Sequence, residues 1–165
     1  MEYSDRKLAR MSVEELVLLR ASLRAEMRKR GVADSVGAVA EKLAIEYFGK
    51  TRGLPKLQPA PRGTKNVDAL SRNGERYSIK AVCEGSKTGT VYPERDDPNK
   101  VLFEYMLIVR LRTDWSLQSI HQLSWADFVS VRSWDKRMNA WYVGVSSRTL
   151  RATNLVFNGS GQENV

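Results

Sequence analysis

In the stretch NVDALSRNGERYSIKA, residues 66–81, Asp68 and Lys80 interrupt two otherwise apolar runs joined by Asn73-Gly74. Asn-Gly between alternating apolar residues signals a tight hairpin, and its register decides what the two charges do. A two-residue loop pairing Arg72 with Glu75 sets Asp68 across from Ile79 and Lys80 across from Val67, which mixes polar and apolar side chains on both faces. A type I turn with Gly74 as a bulge residue pairs Ser71 with Glu75 instead. Val67 then faces Ile79 and Ala69 faces Tyr77, while Asp68 faces Ser78 with Lys80 next along. A one-residue slip would bury the charges, so the alternation selects the bulged register. One face packs, and the other presents a carboxylate, a hydroxyl and an ammonium together.

Such a trio suits hydrolysis of a phosphodiester. That reaction needs a divalent cation to offset charge on the scissile phosphate and to lower the pKa of the attacking water. Mg²⁺ takes hard oxygen ligands, usually one or two carboxylates with waters and substrate oxygens. A nearby lysine orients the water or stabilises the anionic transition state. The same two side chains would also make an exposed cross-strand ion pair, worth well under about 1 kcal/mol. The surrounding elements must therefore help to choose between these readings.

Ser12-Val13-Glu14-Glu15 is a capping box, and a helix follows to about Arg30 with Leu16, Leu19, Leu23 and Met27 as its inner stripe. Its last turn is basic, which suits the helix dipole, and Gly31 stops it. Asp34 or Ser35 caps a second helix over 36–48, ended by Gly49. TRGLPKLQPAPRGTK, with three prolines and two glycines, reads as a loop. After the hairpin a second loop runs from Glu84 to about Lys100. VLFEYMLIVRLR, 101–112, has two largely apolar faces, as a central strand does. A strand over 116–121, a short helix capped by Ser124 and a strand over 140–145 complete the pattern. The expectation is a single α/β domain over 1–157, a mixed central sheet flanked by helices with an additional N-terminal helix. Residues 158–165 form an unstructured tail in this reading.

Composition excludes several other chemistries. Cys83 is the only cysteine and His121 the only histidine, so disulfide frameworks and His- or Cys-clustered metal sites have no ligands. His121, in SIHQLSW, reads as a structural residue at a strand end. No run of about 18 apolar residues exists and the N-terminus lacks a signal-peptide pattern, so the expectation is a cytoplasmic protein with no membrane. The net charge of +8 is spread along the chain, which suggests a polyanion partner, nucleic acid first.

VDALSRNGERYSIKA, preceded by a helix carrying GAVAEKLAIEYFG, resembles the PD-(D/E)XK nuclease superfamily, the restriction-endonuclease-like fold. The resemblance covers residues 35 to about 112 in the order of elements, on a short motif, and extends weakly toward the C-terminus through LSWADF and the W…RMNAW segment. It implies a Mg²⁺-dependent DNA endonuclease, type II restriction-like, with Mn²⁺ as a substitute metal, acting on double-stranded DNA as a homodimer. Carried over residue by residue, Asp68 matches the metal-binding aspartate and Lys80 the catalytic lysine. Glu41 matches the helix glutamate that completes the metal site, and Glu46 at the other edge of the helix is its substitute. The backbone carbonyl of Ile79 is a further metal ligand. Val67 stands where the motif has proline, and Ser78 where it has the second acid. A hydroxyl is the poorer Mg²⁺ ligand, so either Glu41 takes up the burden, with Ser78 assisting through hydrogen bonding, or catalysis is lost. A catalytically inactive nucleic-acid-binding protein that keeps the fold is the rival reading.

EGSKTGT, 84–90, has the wrong order for a phosphate-binding P-loop. Directly after the strand carrying Lys80, its Ser86, Lys87 and Thr88 are instead candidates for contacts to the DNA backbone. VRSWDKRMNAWY, 131–142, interleaves cations with aromatics. Arg132, Trp134, Lys136 and Arg137 are candidate DNA contacts, and Trp141 is expected to pack in the core. Glu104, an acid in the central strand, is either a paired residue or an extra ligand.

Overall fold

A computed structural model describes residues 5–159. After a single turn, α1 (Asp5–Leu8), come α2 (Val13–Lys29), α3 (Val36–Lys50), β1 (Leu57–Pro59), β2 (Ala69–Ser71) and β3 (Arg76–Val82). They are followed by β4 (Tyr105–Leu111), β5 (Leu117–Ser124), α4 (Trp125–Val131), β6 (Arg132–Asp135), β7 (Ala140–Val143), α5 (Ser147–Arg151) and β8 (Asn154–Asn158). Six strands form one mixed sheet in the order β1-β2-β3-β4-β5-β8, with β3 and β4 parallel and the other neighbours antiparallel. β6 and β7 make a separate hairpin.

β4 is the central strand, as its two apolar faces foretold. Leu107, Val109 and Leu111 enter the core beneath α3, with Val39, Ala40, Ala44, Phe48, Tyr77 and Ile79. Met106 and Ile108 enter a second core with Phe103, Leu123, Phe128 and Val143. There Phe103, Trp125 and Phe128 meet with ring centroids 5.0–5.3 Å apart. The parallel β3–β4 pair is joined by residues 83–104 without a helix. That crossover is pinned instead to the β6–β7 hairpin, through bridges between Lys87 and Gly144 and between Val91 and Trp141.

The helix starts follow their caps. Ser12 and Glu15 form the reciprocal capping box of α2, Ser35 caps α3, and Ser124 with Asp127 forms a second capping box on α4. Gly31, at φ 74°, ends the first of these helices region as expected. Gly49 does not end α3, which runs on to Lys50.

Several expectations are corrected. No residue of α2 is buried: Leu16 is 39 % and Leu23 55 % exposed. The stripe meets the core only near its end, through Met27, and the Arg24–Asp34 ion pair ties the helix to the segment before α3. The proline-rich loop contains the edge strand β1, where Pro59 has no ladder bond to donate toward solvent. Strand β4 starts at Tyr105 rather than 101, since Leu102 and Phe103 turn into the second core. β6 and β8 had no assignment in the sequence. Asn158 closes β8 and the Gly159 amide bonds Gln118 O at 2.8 Å, so these two belong to the fold rather than to a tail. The remainder of the expected tail, 160–165, lies outside the described residues.

His121 is the structural residue its setting suggested, within β5 rather than at its end. It is 7 % exposed. The Thr153 hydroxyl donates to Leu150 O, so Nδ1–H of His121 donates to Thr153 Oγ1 at 2.8 Å. Nε2 is then left to accept from the Ser119 hydroxyl at 3.1 Å. Burial, and secondarily Arg110, push its pKa down. A base whose folded pKa is depressed binds fewer protons folded than unfolded. Its contribution is therefore intact above the unfolded value of about 6.5 and is lost as pH falls through the lower folded value. His121→Gln should flatten that part of the stability–pH profile, measured as urea midpoints across pH 5–8.

Candidate active site

The hairpin adopts the bulged register. Ala69 pairs with Tyr77 and Leu70 with Arg76, Ser71 N donates to Glu75 O at 2.9 Å, and Gly74 takes φ 82°. At Asp68 the ladder changes. Its amide donates to Tyr77 O at 2.8 Å, and its carboxylate Oδ2 accepts from the Ile79 amide at 2.6 Å. A side chain thus replaces the main-chain acceptor that Val67 would have offered, and β2 parts from β3 there. The clamp fixes one carboxylate oxygen of Asp68 against β3 and leaves the other for a ligand.

Tyr77, Ile79 and Ala81 face α3, whereas Val82 faces the second core. Alternation therefore puts Ser78 and Lys80 on the face away from α3. Glu41, half-buried on α3, is nevertheless coupled to this group. Its carboxyl is held above the usual range, first by burial and then by the Asp68 charge, with the Lys80 ammonium acting in the opposite sense. Glu46, the substitute, is exposed and pairs with Lys50 at 3.7 Å. Glu41 is thus the glutamate of α3 placed in the field of Asp68 and Lys80.

Ser78 is fully buried, and its Oγ makes no hydrogen bond within the chain. An unsatisfied buried hydroxyl costs stability, whereas removing it leaves no partner behind. Ser78→Ala should therefore raise the unfolding free energy by about 1 kcal/mol, read from urea denaturation. A loss of stability on this substitution would show that the hydroxyl is bonded in solution.

Glu104 is a paired residue and stands apart from this group. Its Oε2 accepts from Arg76 N at 2.6 Å and Nε at 3.1 Å, and its Oε1 accepts from Nη2 at 2.6 Å. The guanidinium holds its carboxyl below the usual range.

The candidate DNA contacts divide. Ser86, Trp134, Lys136 and Arg137 are exposed, Trp134 at 40 %. Thr88 is only 4 % exposed. Its hydroxyl donates to Gly89 O and accepts from Val143 N, so it anchors the crossover to β7. Lys87 bonds Asp135 at 3.3 Å and lies over the Tyr142 ring. Arg132 lies 3.9 Å from the centroid of Trp141, which packs against the second core as expected. Thr88 and Lys87 thus fasten the crossover to the hairpin, while Arg132 braces the hairpin's own Trp141.

Two features escaped the sequence. Asn66, at φ 60°, clamps the backbone of Tyr92, donating to its carbonyl at 2.9 Å and accepting from its amide at 3.2 Å. Asn tolerates the left-handed conformation and bonds backbone through its side chain, which was the available signal. Gly89 lies beside the Lys80 stem, 4.0 Å from Cδ to where its own Cβ would be. The crossover therefore borders both sides of the Asp68–Lys80 group.

Among the described residues no three Asp, Glu, His or Cys side chains gather as a metal cluster. The donors present are two carboxylates, a set that suits Mg²⁺ when waters and substrate oxygens complete the shell. No protein-family model matches the chain, and no curated protein matches it.

Proposed function

We propose that this chain is a Mg²⁺-dependent DNA endonuclease of the restriction-endonuclease-like kind. The observation that carries the reading is the Asp68 carboxylate held by the Ile79 amide on β3, one residue before Lys80, with Glu41 of α3 within reach of both charges. The mixed sheet, with β3 and β4 parallel and α3 across one face, agrees with it.

Asp68 and Glu41 would hold the metal, with the Ile79 carbonyl as a further oxygen. When bound, the ion supplies charge neutralisation at the scissile phosphate and a lowered pKa for a water. The Ile79 amide orients the Asp68 carboxylate. Lys80 would orient the attacking water and stabilise the developing anion, with the Gly89 segment passing beside its stem. The Glu41 carboxyl is raised first by burial and then by the Asp68 charge, and a bound cation would offset the second of these. Exposed Ser86, Lys136 and Arg137 provide phosphate contacts.

Double-strand cleavage calls for two active sites, and α2 offers a surface for pairing. Its exposed Leu16 and Leu23 lie between an acidic first turn and a basic last turn, so two copies running antiparallel complement each other in charge. A monomer at all concentrations in sedimentation equilibrium removes the homodimer from the proposal.

The direct test incubates the protein with supercoiled plasmid and Mg²⁺ or Mn²⁺ at low salt, with an EDTA control. Metal-dependent nicks or fragments are expected. Plasmid that is retarded but intact under every metal condition favours the second reading, a silent nucleic-acid-binding protein of the same fold. The buried Ser78 in place of a second acid is the observation behind that alternative.

A further inference from the structure

Beside the candidate active site lies an open cleft of about 820 Å³, lined chiefly by Tyr92, Trp134 and Trp141, with Lys65, Arg95 and Asn139 at its polar positions. We infer that this cleft receives an unpaired nucleobase of the DNA strand that the site engages. The inference rests on the nuclease reading and narrows its substrate to DNA with an unstacked nucleotide near the scissile phosphate.

The lining is unusual for a surface. Tyr92 and Trp134, each 40 % exposed, are the aromatic members of the exposed large hydrophobics among the described residues, and both line this cleft. Trp134 is held rather than free. It meets Trp141 edge to face at 4.7 Å, and Trp141 is backed by the Arg132 guanidinium. A pre-set aromatic wall loses little freedom when a flat ring stacks on it, and every base offers such a ring.

Position and charge favour a nucleotide over other flat ligands. Lys65 and Arg95 give the cleft two cations against the single acid Glu94, suited to phosphates on either side of a base. The cleft is also tied to the catalytic group through the chain, since its Lys65 lies three residues before Asp68. Its Tyr92 wall is clamped by Asn66, two residues before Asp68, and the crossover that forms this wall passes Lys80 at Gly89. In this inference a strand with its phosphate at Lys80 reaches the aromatic wall along the crossover that joins Gly89 to Tyr92. A base stacked within a duplex presents only its edges, so only one that has left the stack can enter.

The test measures binding by fluorescence anisotropy in EDTA, so that no cleavage intervenes. It compares a fully paired 20-bp duplex with the same duplex carrying one unpaired nucleotide. Stacking on an aromatic side chain predicts about tenfold tighter binding of the second. Trp134→Ala and, independently, Tyr92→Ser should abolish that preference, so that each variant binds the two duplexes equally, whatever its affinity for the paired one. Two variants are needed because Trp134 also contacts Trp141. Equal binding of both duplexes, or a preference that survives both substitutions, overturns the inference and leaves the nuclease reading to stand on plasmid cleavage. Absence of binding to either duplex at low salt overturns both.

Discussion

Lys80→Ala should leave the protein folded and lower metal-dependent plasmid cleavage about 10³-fold. Lys80 is partly exposed on β3 and makes no contact that holds the sheet together, so its truncation costs the fold little. Its ammonium, in contrast, is a cation whose charge reaches the Glu41 carboxyl. Removing a preorganised electrostatic stabiliser from a transition state typically costs 10²–10³ in rate, and an ammonium facing a phosphorane-like anion belongs at the upper end. The measurement is initial nicking rate at saturating Mg²⁺, with circular dichroism and the urea midpoint as controls for folding. Wild-type nicking rates in the variant would remove Lys80 from the mechanism.

A pair of substitutions at Asp68 should separate chemistry from architecture. Asp68→Asn keeps an oxygen to accept the Ile79 amide but removes the charge that holds a metal. Cleavage should fall by at least about 10³-fold with stability close to wild type. Asp68→Ala should lose the same activity and, in addition, about 1–3 kcal/mol of stability, because the Ile79 amide loses its acceptor. Urea denaturation of both variants beside their nicking rates decides the matter. Equal stabilities would mean that water replaces the clamp, and full activity in either variant would contradict a metal role for Asp68.

The hairpin was legible in the sequence because two independent signals agreed. Asn73-Gly74 marked the turn, and the period-two alternation around it admitted only one register that kept Asp68 and Lys80 out of the core. The helix starts were legible for a similar reason, since Ser12–Glu15 and Ser124 are local chemistry that needs no tertiary partner. The Asp68–Ile79 clamp was not, because alternation describes a regular ladder and the clamp is the place where the ladder stops. Distance along the chain hid the rest. Lys87 meets Asp135 and Thr88 meets Val143 across about fifty residues, so two candidate DNA ligands proved to be fastenings. Arg132 was misjudged for a different reason, since a cation beside aromatics reads alike whether the ring belongs to a base or to Trp141. The exposed stripe of α2 shows a further limit. A helical period states which face is apolar and leaves open what covers it.

The bridges from the crossover to β7 also bear on the order in which this molecule acquires its shape. Glu41, Asp68 and Lys80 are all present once the first half of the chain exists, yet the segment beside Lys80, clamped early by Asn66 at Tyr92, gains its bridges at Lys87 and Val91 only with residues 141–144. Contacts of that sequence separation close late, since their loop entropy must be overcome before they contribute. During synthesis from the N-terminus, the carboxylates and the lysine therefore emerge well before the wall that confines them. A chain released before Val143 would carry all three charged residues of the site without the framework that positions them.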